Sequence, residues 1–185
     1  MALRGEHFAQ IVNVLRDQIS QQASKASLQI MIEICQWSRN RIKTVEAGAV
    51  SVLIEILLEK TIEKRDSEMV LVVLDQLCRC AEGRAELLRH GAGIAVVSKS
   101  ILRVSHLATD RGVRILSSML RFSGTSCVVQ EMLQVGVVSK LCLVLQVDCS
   151  LKTKEKAKEM LKLHSRVWKN SSCIPLLVLS SYPSS

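Results

Sequence analysis

Apolar positions return along this chain in a regular pattern. Three short phrases centred on Gly48, Gly91 and Gly136 are each followed at once by an apolar run. The glycines lie 43 and 45 residues apart. A period of about 40–47 residues is typical of helical repeat arrays, in which each unit buries its apolar face against the next. The pattern therefore predicts an all-α array of stacked units.

Around each glycine the pattern predicts three helices, and three helices per unit are the armadillo plan. A short helix ends near the glycine, a second begins just after it, and a longer third follows a polar linker. The short helices are predicted at 40–47, 84–90 and 127–135, the second at 49–59, 92–103 and 137–147, and the third at 24–38, 66–81, 109–123 and 153–169. All three glycines are expected in left-handed backbone at a helix C-terminus. The expected N-caps are Asp66, Thr109 and Ser150.

The organisation predicted is a right-handed armadillo superhelix (an α-solenoid) of about three full units after a partial one. Residues 1–22 form the partial unit or cap, 23–170 the repeats and 171–185 a tail. The apolar residues of the partial unit follow helical spacing: Phe8, Ile11, Val12, Leu15 and Ile19. The apolar run 173–179 suggests two roles for the tail, a cap over the last unit or a contact with another chain.

The third helices are expected to line a groove, and aligning them gives three polar columns. The first holds Gln36, Arg79, Arg121 and Lys162, the second Glu33, Gln76, Ser118 and Glu159, and the third Gln29, Val72, Arg114 and Glu155. Seven of these positions are the candidates for partner binding: Gln36, Arg79, Arg114, Arg121, Lys162, Glu33 and Gln76. The competing interpretation is that they are ordinary solvated helix positions. If they bind, Arg79 and Arg121 should matter most, because guanidinium forks pair with carboxylates.

The charge is basic and uneven. The formal net charge is +8, and residues 152–169 hold seven basic against two acidic side chains. Nucleic acid is the obvious alternative partner, but only 3% of residues are aromatic and no recognition motif accompanies the charge. We therefore expect a protein partner with an acidic or mixed-charge segment.

Catalytic and cofactor chemistry finds no support in the sequence. The seven cysteines form no metal knuckle, and the four histidines form no i, i+4 pair. No phosphate-binding glycine loop occurs. His90 is expected as a cation at a helix C-terminus. We predict no catalytic residue, metal, cofactor or small-molecule ligand. Without a signal sequence or a membrane-length apolar run, we expect a cytoplasmic location, with the nucleus as the alternative.

Several segments resemble one family. Segments within residues 39–54, 72–88, 90–105, 130–138 and 161–170 are similar to the armadillo region of plant U-box E3 ubiquitin ligases, and they look closest to its stress- and defence-related subgroup. In that family a U-box docks the ubiquitin-charged E2, and the armadillo array holds a substrate or regulator. The resemblance implies that this chain holds a substrate or regulator. We expect that it contains no U-box and therefore docks no E2. The alternative is a stand-alone adaptor, scaffold or competitor without ligase activity.

The chain departs from the family around Trp37. Gln36 and Ser38 stand where Pro and Gly are expected. Both residues tolerate a helix better, so the first third helix should run further than usual.

Overall fold

The computed structural model describes residues 5–168, which contain helices and no strand. In chain order the helices are α1 Gly5–Asp17, α2 Gln21–Ile34, α3 Ser38–Glu46, α4 Ala49–Leu58, α5 Lys64–Leu77, α6 Ala81–Arg89, α7 Gly93–Ser100, α8 His106–Ser123, α9 Ser126–Gln134, α10 Val137–Gln146, α11 Leu151–Leu163 and α12 Ser165–Trp168. They fall into two compact units, residues 1–96 and 97–185, with the boundary inside α7. Each unit is described by itself.

The first unit is built on α1 to α6. Helix α1 packs against α2, α3 and α4, and the third helices α2 and α5 lie side by side. Phe8, Val12 and Leu15 of α1 are buried in this packing, and the role of residues 1–22 as a partial repeat or cap stays a prediction. Ile19 was expected on the same face, but it follows the end of α1 and is 77% exposed.

Helix α2 ends before Gln36 and Ser38, so the expectation that these residues would lengthen it is wrong. Trp37 has extended backbone, with φ −91° and ψ 131°, and Ser38 begins α3. Arg41 donates from Nη1 to the carbonyl oxygens of Cys35 and Gln36, at 3.1 and 3.0 Å. A helix end needs partners for its last carbonyls, and a side chain of the following helix supplies them here.

The glycines all lie between a short helix and a second helix, as predicted. Gly48 has φ 83° and Gly136 has φ 75°, which are left-handed conformations that favour glycine. Gly91 is not left-handed, so the prediction fails for that position.

At the Gly91 turn a histidine replaces the glycine conformation as the capping device. The backbone N–H of Ala92 donates to His90 Nδ1 at 3.2 Å, and His90 Nε2 lies 3.0 Å from Glu55 Oε1. The imidazole thus joins the backbone N–H of Ala92 to the carboxylate of Glu55. The cationic role of His90 stays a prediction.

The second unit is built on α8 to α12. The third helices α8 and α11 lie side by side, and α10 packs against α9 and α11. Trp168 is fully buried and donates its indole N–H to the carbonyl of Val129 at 3.2 Å. Its ring centroid lies 5.1 Å from that of His164.

The N-caps differ in part from the prediction. Ser150 caps α11 by accepting from the N–H of Thr153, as expected. Thr109 does not cap α8; Ser105 does. Thr109 instead accepts from the N–H of Leu102, which has φ 62° at the end of the second helix. Asp66 lies in the first turn of α5 after Glu63, which occupies the cap position.

The predicted order of a short, a second and a longer third helix in each armadillo repeat is confirmed, but the bounds of these helices differ from the prediction. Helix α7 runs only from Gly93 to Ser100, shorter than the predicted 92–103. Helix α5 ends at Leu77, where Arg84 of the next helix donates to the carbonyl of Cys78 at 3.0 Å. The last third helix ends at Leu163, before the short α12. The predicted end at 169 and the tail 171–185 lie outside the described residues.

All six described cysteines are free. Cys35, Cys78 and Cys142 are buried, and burial raises the pKa of each thiol, that of Cys142 to about 11. Cys127 is exposed, and Cys80 and Cys149 are half-buried. Among residues 5–168 no single helix has the length and apolar character of a membrane span, although the bent pair α9 and α10 passes by length and composition together.

Candidate partner-binding surface

In the first unit, Gln76 is a bridge between helices. It lies on α5, is 9% exposed and donates from Nε2 to the carbonyl of Ile32 on α2 at 3.1 Å. Its Oε1 is buried and accepts no hydrogen bond within the described residues. Gln76 therefore fixes the two third helices side by side, which the columns did not predict.

The other first-unit candidates are exposed but engaged locally. Gln36 donates from Nε2 to Glu33 Oε2 at 3.1 Å. Arg79 Nη2 lies 3.9 Å from Oδ2 of Asp75, whose side chain is only 6% exposed. A carboxylate within the unit thus already offsets the charge of Arg79.

The second unit holds the remaining candidates. Arg121 on α8 is exposed, and its guanidinium lies 5.6 Å from the ring centroid of Phe122, a residue that is 63% exposed. Lys162 on α11 is exposed. Arg114 on α8 is half-buried and lines a cavity, and neither Arg121 nor Lys162 joins it there.

This basic cavity has a volume of about 310 Å³ and lies between the N-terminal turns of α8 and α11. Its lining comes from both helices and the loop before α11: His106, Asp110, Arg114, Cys149, Ser150, Lys152, Thr153 and Lys156. Residues four apart share one face of a helix. Therefore His106, Asp110 and Arg114 face the cavity from α8, and Lys152 and Lys156 face it from α11.

Three cations of the basic cavity are set against one carboxylate. That carboxylate, Asp110, accepts a hydrogen bond at Oδ1 from Thr153 Oγ1 at 2.9 Å. Ser150 Oγ lies 2.7 Å from Thr153 Oγ1, which ties the helix cap to the same group. Burial raises the pKa of the Cys149 thiol, partly offset by Lys154, so this thiol adds no charge. Counting only Arg, Lys and Asp, the lining has an excess of two positive charges.

A second cavity of about 310 Å³ lies in the first unit, at the N-terminal turns of α2 and α5. Its charged lining is acidic: Glu59, Glu63 and Asp66. Each carboxylate is engaged within the unit. Gln18 donates to Glu59, Gln21 and Lys25 donate to Glu63 at 2.7 and 3.0 Å, and Lys25 lies 3.8 Å from Asp66. We call this the acidic cavity.

The alignment of polar positions on the third helices did not predict two features of these surfaces. Trp37 is 72% exposed next to Gln36, although its sequence context gave no sign of it. The basic cavity was also missed, yet its signal is visible in the spacing of residues 106, 110 and 114 and of 152 and 156. Among residues 5–168 no group of three or more His, Cys, Asp or Glu side chains is placed to hold a metal ion.

The unit boundary also divides the charge. Residues 1–96 contain twelve Lys and Arg and twelve Asp and Glu, whereas residues 97–185 contain thirteen and five. The formal net charge of +8 therefore belongs wholly to the second unit.

Comparison with known proteins agrees with this repeat architecture. The family model for the plant U-box protein ARM repeat region matches residues 1–184. The chain belongs to this family. The armadillo region of this family is a protein-interaction module.

Two relatives from Arabidopsis thaliana are similar over nearly all of this armadillo region. E3 ubiquitin-protein ligase PUB23 is 59% identical over 185 residues, covering 99% of the chain and 45% of the relative. E3 ubiquitin-protein ligase PUB22 is 57% identical over 183 residues, covering 98% of the chain and 42% of the relative. The chain thus spans less than half the length of these relatives.

Solved structures support the same fold at low identity. A computationally designed armadillo repeat protein for modular peptide recognition matches with a TM-score of 0.73 and 16% identity, over 96% of this chain and 79% of that one. A designed armadillo repeat protein in complex with the peptide (KR)4 matches with a TM-score of 0.71 and 18% identity, over the same shares.

Proposed function

We propose that this armadillo region is the substrate- or regulator-binding part of a U-box E3 ubiquitin ligase. The observation that carries the proposal is the family match over residues 1–184. It is strengthened by the similarity to two proteins named as E3 ubiquitin-protein ligases. In this division of labour the U-box recruits the E2, and the armadillo helices choose what is ubiquitinated.

The partner we propose presents an acidic or mixed-charge segment. The second unit supports this, because its net charge of +8 favours the approach of negative charge over a range of about 10 Å at 0.1 M salt. Arg121 and Lys162 are exposed there. Arg79 is the weaker candidate, because Asp75 already lies beside its guanidinium.

The test joins this chain to the U-box of a plant U-box protein and identifies what the fusion ubiquitinates in plant cells. The same proteins are then measured for binding to the unfused chain. We expect the modified proteins to bind the chain directly. Arg121→Glu with Lys162→Glu should weaken binding and modification about tenfold, because like charges then face the acidic segment.

The matched control carries Lys99→Glu with Lys158→Glu, which changes the charge of the same unit equally at other exposed positions. It should bind nearly as well as the natural chain. If the fusion modifies proteins that the chain does not bind, the substrate-binding role is contradicted. With E1, E2, ubiquitin and ATP, the chain alone should form no ubiquitin chains, and robust activity would contradict the division of labour.

The cytoplasmic or nuclear location and the link to stress or defence remain predictions from the sequence. Fluorescent tagging of the chain in plant cells tests the first. Measuring its abundance during stress or immune stimulation tests the second.

A further inference from the structure

We propose that the basic cavity of the second unit binds the phosphate group of a phosphoserine or phosphothreonine in a protein partner. This inference rests on the proposed function, because it names the chemistry of the segment that the armadillo region recognises. A phosphorylated partner would then be captured in preference to its unmodified form.

The cavity gathers donors of the types that bind phosphate. Arg114 approaches from α8, while Lys152 and Lys156 lie one turn apart on the same face of α11. A guanidinium offers two parallel donors to phosphate oxygens, and ammonium groups act as point charges that follow a flexible ligand. The cations come from two packed helices, so the ligand would be held from two sides.

The charge balance fits a phosphate better than a carboxylate. Arg114, Lys152 and Lys156 against Asp110 leave an excess of two positive charges. A phosphorylated side chain carries about −1.5 to −2 at pH 7, whereas a glutamate carries one negative charge. Asp110 repels any anion, but its Oδ1 is held by Thr153, so the carboxylate is oriented toward the helix-cap groups.

The size of the cavity fits one phosphorylated side chain. At about 310 Å³ it lies at the small end of the ~300–1,000 Å³ range of ligand sites. Leu107 and Leu151 follow the lining residues His106 and Ser150 and are 40% and 72% exposed. We expect these side chains to contact residues beside a phosphorylated position, which favours a peptide over a free phosphate ion.

The experiment is an NMR titration of the complete ¹⁵N-labelled chain with a seven-residue peptide of glycine and alanine around a central phosphothreonine. The same peptide with threonine or glutamate at the centre serves as the comparison. We expect the phosphopeptide to bind at least tenfold more tightly than either. Its chemical-shift changes should cluster at residues 106–114 and 149–156.

Two variants and one control localise the effect. Lys156→Glu and Lys152→Glu should each abolish the preference for phosphothreonine. Lys158→Glu is the matched control, since it makes the same charge change on an exposed position of α11 outside the cavity lining. It should retain the preference. Circular dichroism and thermal unfolding check that all three fold. If Lys156→Glu fails to fold, the loss or retention of the phosphothreonine preference in Lys152→Glu, a change at an exposed position, tests the proposal.

Equal binding of the phosphothreonine and glutamate peptides would overturn the proposal, as would no binding of either. An equal loss in Lys156→Glu and Lys158→Glu would show a general charge effect and would also overturn it. Binding of the chain and its variants to vesicles that contain a phosphatidylinositol phosphate is measured separately. If they bind with the same lysine dependence while the phosphopeptide does not, the assignment to a protein partner is wrong.

The proposed function fails separately from this inference. If partners identified by the fusion bind the chain equally before and after phosphatase treatment, only the phosphate inference fails. If the fusion modifies proteins that the chain does not bind, the substrate-binding role itself fails.

Discussion

The acidic and basic cavities have the same helical surroundings but linings of opposite charge. Each has a volume of about 310 Å³, and each lies at the N-terminal turns of two adjacent third helices. In the first unit, three carboxylates line the cavity, and Lys25 and two glutamines contact them. In the second, three cations are set against one carboxylate.

The difference teaches that the frame and the surface are specified by separate residues. Buried leucines, valines and a few hydrogen-bonded polar groups set the helix packing in both units. The lining side chains then give the acidic cavity an excess of negative charge and the basic cavity an excess of positive charge. Because the whole net charge of +8 lies in the second unit, a negative partner should meet that unit first.

The largest expected effect concerns the frame itself, through the two tryptophans. Trp168→Ala in the second unit should lower the free energy of unfolding by about 3–5 kcal/mol, because it leaves a large cavity and removes the hydrogen bond to the Val129 carbonyl. Trp37→Ala in the first unit should change it by less than about 0.5 kcal/mol, because that ring is 72% exposed. Urea unfolding of both variants measures the contrast. Similar losses would show that Trp37 is packed.

A smaller effect is expected at the two turns that differ. Gly136→Ala forces a side chain into left-handed backbone and should cost about 1–2 kcal/mol. Gly91→Ala should be nearly neutral, because Gly91 is not left-handed and a Cβ there meets no atom within 4 Å. Thermal unfolding of the pair tests this. A costly Gly91→Ala would contradict the role given to His90.

The repeat period was sufficient to predict the helical order and the place of all three glycine turns. It could not predict that Gly91 keeps ordinary backbone, because the cap there depends on Glu55, 35 residues before His90. The end of α2 was missed for a similar reason, since the carbonyls after it accept hydrogen bonds from Arg41, which lies in the next helix.

The candidate site was predicted less well than the fold. Column alignment identified exposed Arg121 and Lys162 but also selected Gln76, which is buried between α2 and α5. The basic cavity depends on how α8 and α11 pack, and periodicity gives the faces of single helices without the pairing of their turns.

A third prediction sharpens the contrast between the cavities. Asp110→Asn removes the one carboxylate of the basic cavity and keeps an oxygen that can accept from Thr153. Binding of the phosphothreonine peptide should tighten by about three- to tenfold, because a repulsive charge is lost. The NMR titration described above measures it. Unchanged affinity would show that the ligand does not lie near Asp110.

The smallest expected effect is a titration shift in the acidic cavity. Hydrogen bonds from Gln21 and then Lys25 hold the pKa of Glu63 below its ordinary value of 4.5. A lowered pKa means that this contribution to stability is present above about pH 4.5 and is lost as the pH falls through the folded-state pKa. Lys25→Ala should move the NMR-detected midpoint of Glu63 upward, and an unchanged midpoint would contradict the pairing.

The most direct test of the central claim asks which unit an acidic segment contacts. The ¹⁵N-labelled chain is titrated with a ten-residue peptide of alternating glutamate and glycine at low salt. The charge distribution predicts shift changes among residues 97–168 that fade when salt is added. Changes of equal size among residues 5–96, or no changes in either unit, would contradict the account.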